Sequence, residues 1–160
     1  MSSFSYLQNM QDSDIPWVLA VEQRAYDFPW TQKGFENSIE QGLNYLFQSS
    51  EGLCLGYCCI LPVLDEAHVL NICVAPEFQG GGVARAAFNK IVEKLQENDY
   101  RIILLEVRES NEPAAKLYES LGFSRDGVRK GYYRANVWDE VLMELVEVRE
   151  DAILMSFSLA

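Results

Sequence analysis

Val74-Ala75-Pro76-Glu77-Phe78-Gln79-Gly80-Gly81-Gly82-Val83-Ala84-Arg85 is the stretch that decides how this chain is read. It follows the apolar, strand-like run His68–Val74. After it, Val83, Ala87, Phe88, Ile91, Val92 and Leu95 recur at helical spacing up to Asn98. A strand that enters a helix through a loop without side chains can aim several backbone N–H groups at one point. That point lies at the positive end of the helix dipole, and a phosphate is the expected ligand. No Lys-Ser/Thr follows the glycines and no G-x-G-x-x-G order is present, which argues against ATP and dinucleotide loops.

Working outward, Phe4–Gln8 reads as a short strand. Ser13 or Asp14 is placed to cap a helix with Pro16 in its first turn, and Thr31 to cap a second. Tyr45–Ser49 and Cys54–Leu64 suit a hairpin about the turn signal Ser50-Glu51-Gly52. Downstream, Ile102–Val107 is a continuous apolar run of the kind found in a strand covered on both faces, and Glu112–Leu121 is a helix ended by Gly122. Phe123–Tyr133 and Ala152–Leu159 read as the last two strands. The order β-α-α-β-β-β-α-β-α-β-β gives a mixed α/β sheet with helices on both faces. An acidic insertion at about 135–148 separates the last two strands, and its apolar residues fit helix or strand equally.

With 160 residues and no linker or repeat, residues 1–160 read as one domain. The net charge of −11 repels nucleic acid and anionic membranes and attracts a basic partner. Cys54, Cys58, Cys59 and Cys73 lie in apolar runs without a C-x-x-C pair, and His68, the sole histidine, has no ligand at metal spacing. No metal is expected. The N-terminus lacks a basic region followed by a long apolar one, so a cytoplasmic location is expected.

Gln79–Ala84 matches Q-x-x-G-x-A, the pyrophosphate loop of the GNAT acetyltransferases. Residues 105–123 carry L-E-V-R-x-S-N-x-x-A-x-x-L-Y-x-x-x-G-F. The chain therefore resembles that superfamily, and within it the branch that acetylates the N-terminal alanine of a small-subunit ribosomal protein, the eighteenth. Glu22–Ala25, Phe28–Trp30, Leu64–Ala67, Asn71-Ile72 and Arg149–Ala152 fit the same branch. The resemblance implies a mostly antiparallel sheet of about seven strands with a V-shaped splay between strands 4 and 5. It also implies acetyl-CoA as co-substrate and a basic ribosomal protein as partner. The coenzyme would be held by Ile72, Cys73 and Val74 of the strand, by Gln79, Gly80, Gly81, Gly82, Val83, Ala84 and Arg85 of the loop, and by Asn111.

Acetyl transfer to an amine needs a free nitrogen lone pair, a polarised thioester carbonyl and a proton for the leaving thiolate. Glu106 shares a strand face with Ile102 and Leu104, where a carboxylate is costly unless paired, hydrated or catalytic. Arg108 is its candidate ion-pair partner; by resemblance, Glu106 is instead the general base, acting directly or through water. Tyr118 reads as a core-edge aromatic or, by resemblance, as the acid that protonates the thiolate. Asn111 also suits a plain helix cap. Glu22, Tyr26, Trp30 and Tyr133 are candidates to line the amine channel. No Ser-His or Cys-His pair suggests an acyl-enzyme, so direct attack is expected. Two alternatives stay open: another amine as substrate (a lysine side chain, a polyamine, an antibiotic), or a coenzyme-binding module without chemistry.

Overall fold

A computed structural model describes residues 2–160. Its elements are β1 (Tyr6–Asn9), α1 (Ile15–Ala25), α2 (Gln32–Gln41), β2 (Leu43–Gln48), β3 (Cys54–Val63), β4 (Glu66–Val74), α3 (Val83–Glu97), β5 (Ile102–Arg108), α4 (Glu112–Leu121), β6 (Ser124–Asp139) and β7 (Glu144–Ser158), with short 3-10 turns at Asp12–Asp14 and Pro76–Phe78. The element order is the one expected from the sequence. Seven strands follow the order β1-β2-β3-β4-β5-β7-β6. The sheet is mixed: β4 and β5 run parallel, while the β1–β2, β2–β3, β3–β4 and β6–β7 pairs are antiparallel.

The chain forms two compact units. The first holds the residues up to Ile103 together with Ser158–Ala160, and the second holds Leu104–Phe157.

In the first unit β2 and β3 are buried on both faces, which is why they read as unbroken apolar runs. Alternation then assigns the faces. Leu46, Tyr57, Cys59 and Cys73 join one core with Ile15, Val18 and Val21 of α1 and Phe35 of α2. On the other face Tyr45 lies under Lys94 of α3, its ring centroid 5.5 Å from the ammonium. α3 buries Val83, Ala87, Phe88, Ile91 and Leu95, the spacing that announced it. β4 and β5 begin side by side: the Arg101 amide donates to the Asp65 carbonyl at 2.7 Å and its guanidinium reaches the Asp65 carboxylate at 3.0 Å. Thr31 caps α2 through Gly34 N at 3.2 Å. Asp14 does not cap α1. The 3-10 turn already holds its backbone in helical conformation, so its carboxylate accepts from the Gln11 amide at 2.8 Å instead.

In the second unit β5 alternates buried Ile103, Leu105 and Val107 with the partly open Leu104, Glu106 and Arg108, the first of these residues lying at the end of the first unit. The rings of Tyr118, Phe123 and Phe157 pack in sequence, the first pair edge-on at 5.6 Å and the second tilted at 5.4 Å between centroids. Asn111 caps α4, its side chain accepting from Ala114 N at 3.3 Å. The last two strands are longer than the sequence suggested. β6 runs to Asp139 rather than Tyr133, and β7 starts at Glu144 rather than Ala152. The 135–148 segment is the end of this hairpin, paired in register from Ala135↔Val148 to Asp139↔Glu144. Its short-range pattern fitted either period, and cross-strand pairing decided it.

Candidate active site

In the first unit Gln79 donates from its side chain to the Val74 carbonyl at 3.0 Å, tying the loop to the end of β4. Gly80 and Gly82 take φ of 81° and 80°, the left-handed region that favours glycine. Apart from the glycine and the adjoining chain, nothing lies within 4 Å of where a β-carbon would sit on either. Gly82 opens the 15-residue α3 without a side-chain cap. A long helix that starts on glycine, uncapped and beneath open space, is a donor set suited to a diphosphate. Of the loop residues, Val83 is buried, Ala84 partly so, and Gly80, Gly81, Gly82 and Arg85 are exposed. Ile72 and Val74 are half-buried on β4, while Cys73 is 5% exposed.

The thiols are poor nucleophiles here. Burial pushes Cys73 up, pushes Cys59 up to about 12, and holds Cys58 well above the usual thiol range. An unionised thiol buried in an apolar strand is not poised for nucleophilic attack.

Behind β4 lies a site that sequence reasoning drew only in part. Glu22, on α1, is 2% exposed. One carboxylate oxygen accepts from Tyr57 Oη at 2.5 Å and Asn71 Nδ2 at 3.0 Å, and the other from the Trp30 amide at 3.0 Å. Burial and the nearby charge hold the Tyr57 phenol well above its ordinary range. These bonds pin the segment between α1 and α2 to β3 and β4, so Glu22 organises that segment from beneath rather than lining its surface. Asn71 reaches Glu22 through a bulge: Cys59 pairs with Asn71 and Ile60 with Val69, leaving Leu70 unpaired. Bulges re-aim side chains in this way. Tyr26 is half-exposed and donates to the Ile72 carbonyl at 3.0 Å, and Trp30 packs against Phe35 with ring centroids 5.2 Å apart.

In the second unit the Glu106 side chain is 24% exposed, and its partner is Arg129, at 2.9 Å from Oε1. Arg108 is not that partner. It pairs with Glu150 at 3.1 Å, donates to the Arg134 carbonyl at 2.6 Å, and lies 4.6 Å from the centroid of the Tyr133 ring. The β6–β7 register decides this, bringing Tyr133 opposite Glu150. Arg129 also covers the Tyr132 ring at 4.9 Å. Burial first, and then the Glu106 charge, pushes Tyr133 up to about 12 and raises Tyr132 as well, so both phenols are protonated donors at neutral pH. Tyr118 is 9% exposed on α4, among the aromatic rings named above. Among the described residues no cluster of three or more His, Cys, Asp or Glu is arranged to hold a metal ion.

An uncapped glycine loop that leads from a strand into a long helix suits the diphosphate of a coenzyme. The sequence pattern of the acetyltransferase (GNAT) family matches residues 8–123, and the chain belongs to that family. It is similar to the [ribosomal protein bS18]-alanine N-acetyltransferase of Escherichia coli (strain K12), 35% identical over 156 residues, which are 96% of this chain and 97% of that protein. The protein of that name from Haemophilus influenzae is 34% identical over 131 residues, 81% of this chain and 88% of the relative. The crystal structure of the ribosomal-protein-S18-alanine N-acetyltransferase from Escherichia coli superposes with a TM-score of 0.83 at 33% identity, covering 97% of this chain and 94% of that one. No helix among the described residues is long and apolar enough to cross a membrane.

Proposed function

We propose that the protein moves the acetyl group of acetyl-CoA to the α-amino group of the N-terminal alanine of ribosomal protein bS18. The observation that carries this reading is the match to the Escherichia coli relative across 96% of the chain at 35% identity. Acetyl-CoA supplies the activated acyl group. The loop Gln79–Arg85 holds its diphosphate through backbone amides, Asn111 and the Ile72–Val74 backbone hold its arm, and a β4 amide polarises the thioester carbonyl.

Glu106 is the general base. Arg129 holds one of its oxygens, and the other oxygen receives the amine proton, directly or through one water. An α-amino group has a pKa of about 8 against about 10.4 for lysine, so a carboxylate needs little assistance to free it. Tyr118 delivers a proton to the departing thiolate, whose conjugate acid has a pKa of about 8.5. The pinned segment around Tyr26 and Trp30, together with Tyr133, lines the path of the amine, with Glu22 as its support.

A peptide panel tests the proposal. Thiol release from acetyl-CoA should occur with a peptide that begins at the N-terminal alanine of bS18. It should not occur with the same peptide blocked at its α-amine, nor with an N-blocked lysine peptide. Turnover of the lysine peptide, of spermidine or of an aminoglycoside in preference to the alanine peptide would overturn the substrate assignment.

A further inference from the structure

Three side chains around the C-terminal end of α1 take hold of successive points on one continuous stretch of chain. Glu22 accepts from Asn71 Nδ2 at 3.0 Å, Tyr26 donates to the Ile72 carbonyl at 3.0 Å, and Arg24 reaches past the end of β4 to Glu77. The last contact is a fork: Arg24 Nη1 donates to Oε2 at 3.2 Å and Nη2 to Oε1 at 3.4 Å. A two-pronged pair fixes direction as well as distance. The chemistry proposed above makes no use of it.

Glu77 belongs to a small rigid body. It is the middle residue of the Pro76–Phe78 turn, which the Ala75 and Pro76 carbonyls close by accepting from the Phe78 and Gln79 amides at 2.9 and 3.4 Å. Phe78 packs on the core that also receives Ala25 of α1, and the Gln79 side chain holds the Val74 carbonyl. The stretch without side chains begins only at Gly80, three residues after Glu77. A carboxylate left unpaired so near the glycines would repel a diphosphate. Its own backbone N–H first, and then Arg24, holds the Glu77 carboxyl below the usual carboxylate range, so the pair is ionised at neutral pH.

At the other end of the fork, Arg24 stands two residues before Tyr26, where the segment proposed to line the amine path begins. The Arg24 and Glu77 side chains are 52% and 48% exposed, and an ion pair so open to solvent adds little to stability. Its position matters more than its strength. It stands in series between two binding sites, where a small free energy is enough to couple their ligands. We infer that Arg24 is a positioning residue: through Glu77 it links the coenzyme loop to the amine-binding segment, so that each ligand tightens the other. The inference rests on the proposed function and adds a connection between its two sites.

Calorimetry tests it with coenzyme A, which has no acetyl group to transfer, and a six-residue peptide of the bS18 N-terminus. In wild type the peptide Kd should be about fivefold lower with saturating coenzyme A than without it. By reciprocity the coenzyme Kd should fall by the same factor when the peptide saturates. Arg24→Gln should bring both ratios below about twofold while its melting curve overlays that of wild type. A merely structural role would shift the melting curve, or weaken both ligands alike, and leave the ratio unchanged. Arg24→Glu should abolish the coupling, and Arg24→Glu with Glu77→Arg should restore it. A wild-type ratio of one, a ratio that Arg24→Gln leaves intact, or a charge swap that fails to restore it overturns the inference, and turnover of the alanine peptide then keeps the acetyltransferase reading standing. If wild type acetylates spermidine and not the peptide, the substrate assignment falls and spermidine takes the peptide's place in the titration. Loss of its coupling in Arg24→Gln upholds the inference, and unchanged coupling overturns it.

Discussion

Glu22 and Glu106 are both carboxylates in apolar surroundings, one in each compact unit, and the fold treats them differently. Glu22 is closed to solvent and engaged by three neutral donors, a phenol, an amide side chain and a backbone N–H. Glu106 keeps about a quarter of its side-chain surface open and has a cation on one oxygen. Arg129 is itself more than half exposed, so solvent screens the pair and it contributes little to stability. A carboxylate whose acceptor capacity is used up inside the protein holds structure. One left partly open, paired on a single oxygen and flanked by protonated phenols, is available to take up a proton.

That contrast can be broken most directly at Glu106. Glu106→Gln should lower kcat by about 10²- to 10⁴-fold, the range of a general base, while its melting curve overlays that of wild type and acetyl-CoA still binds in calorimetry. A variant that loses stability and keeps turnover would reverse the roles of the two glutamates. The opposite pattern is expected at Glu22. Glu22→Ala leaves one buried and two part-buried donors without their acceptor, at about 1 kcal/mol apiece, so urea unfolding should show a loss of about 3 kcal/mol. Glu22→Gln is gentler. Its amide oxygen can still take the Tyr57 and Asn71 donors, but its NH2 then faces the Trp30 amide, and a loss of about 1–2 kcal/mol is expected. Were Glu22→Gln fully stable but inactive towards the alanine peptide, Glu22 would belong to the chemistry after all.

The parts of this contrast that were legible in the sequence are the local ones. The glycine loop, the Thr31 and Asn111 caps, the α3 stripe and the placement of Glu106 among apolar residues depend on neighbours within a turn or a strand. The partners were not legible. Tyr57 and Asn71 lie 35 and 49 residues from Glu22 and meet it only because a bulge at Leu70 re-aims β4. Arg129 replaces Arg108 beside Glu106 because β6–β7 pairing carries Arg108 to Glu150 and Tyr133. Register is a long-range property, and a shift of one residue reverses which side chains share a face. The ribbon at 135–148 was hidden for the same reason: its strand character comes from a partner strand and not from its own sequence.

The smallest effect separates the two charges around the site. Tyr133, pushed up to about 12, keeps its proton in the folded protein through a range where an unfolded tyrosine, near 10, has lost it. The folded state therefore binds more protons between those values. Tyr133 contributes its stability in full below about pH 10, and the contribution falls as pH rises towards 12. Because the Glu106 charge is the second cause of that shift after burial, Glu106→Gln should let Tyr132 and Tyr133 ionise earlier and soften the alkaline fall. Arg129→Gln should act in the reverse sense on Tyr132, since the guanidinium lowers that phenol. Ultraviolet titration of the phenolate band reads both. Opposite displacements in the two variants would place the phenols in the field of the Glu106–Arg129 pair, and displacements of one sign would show that burial alone sets them.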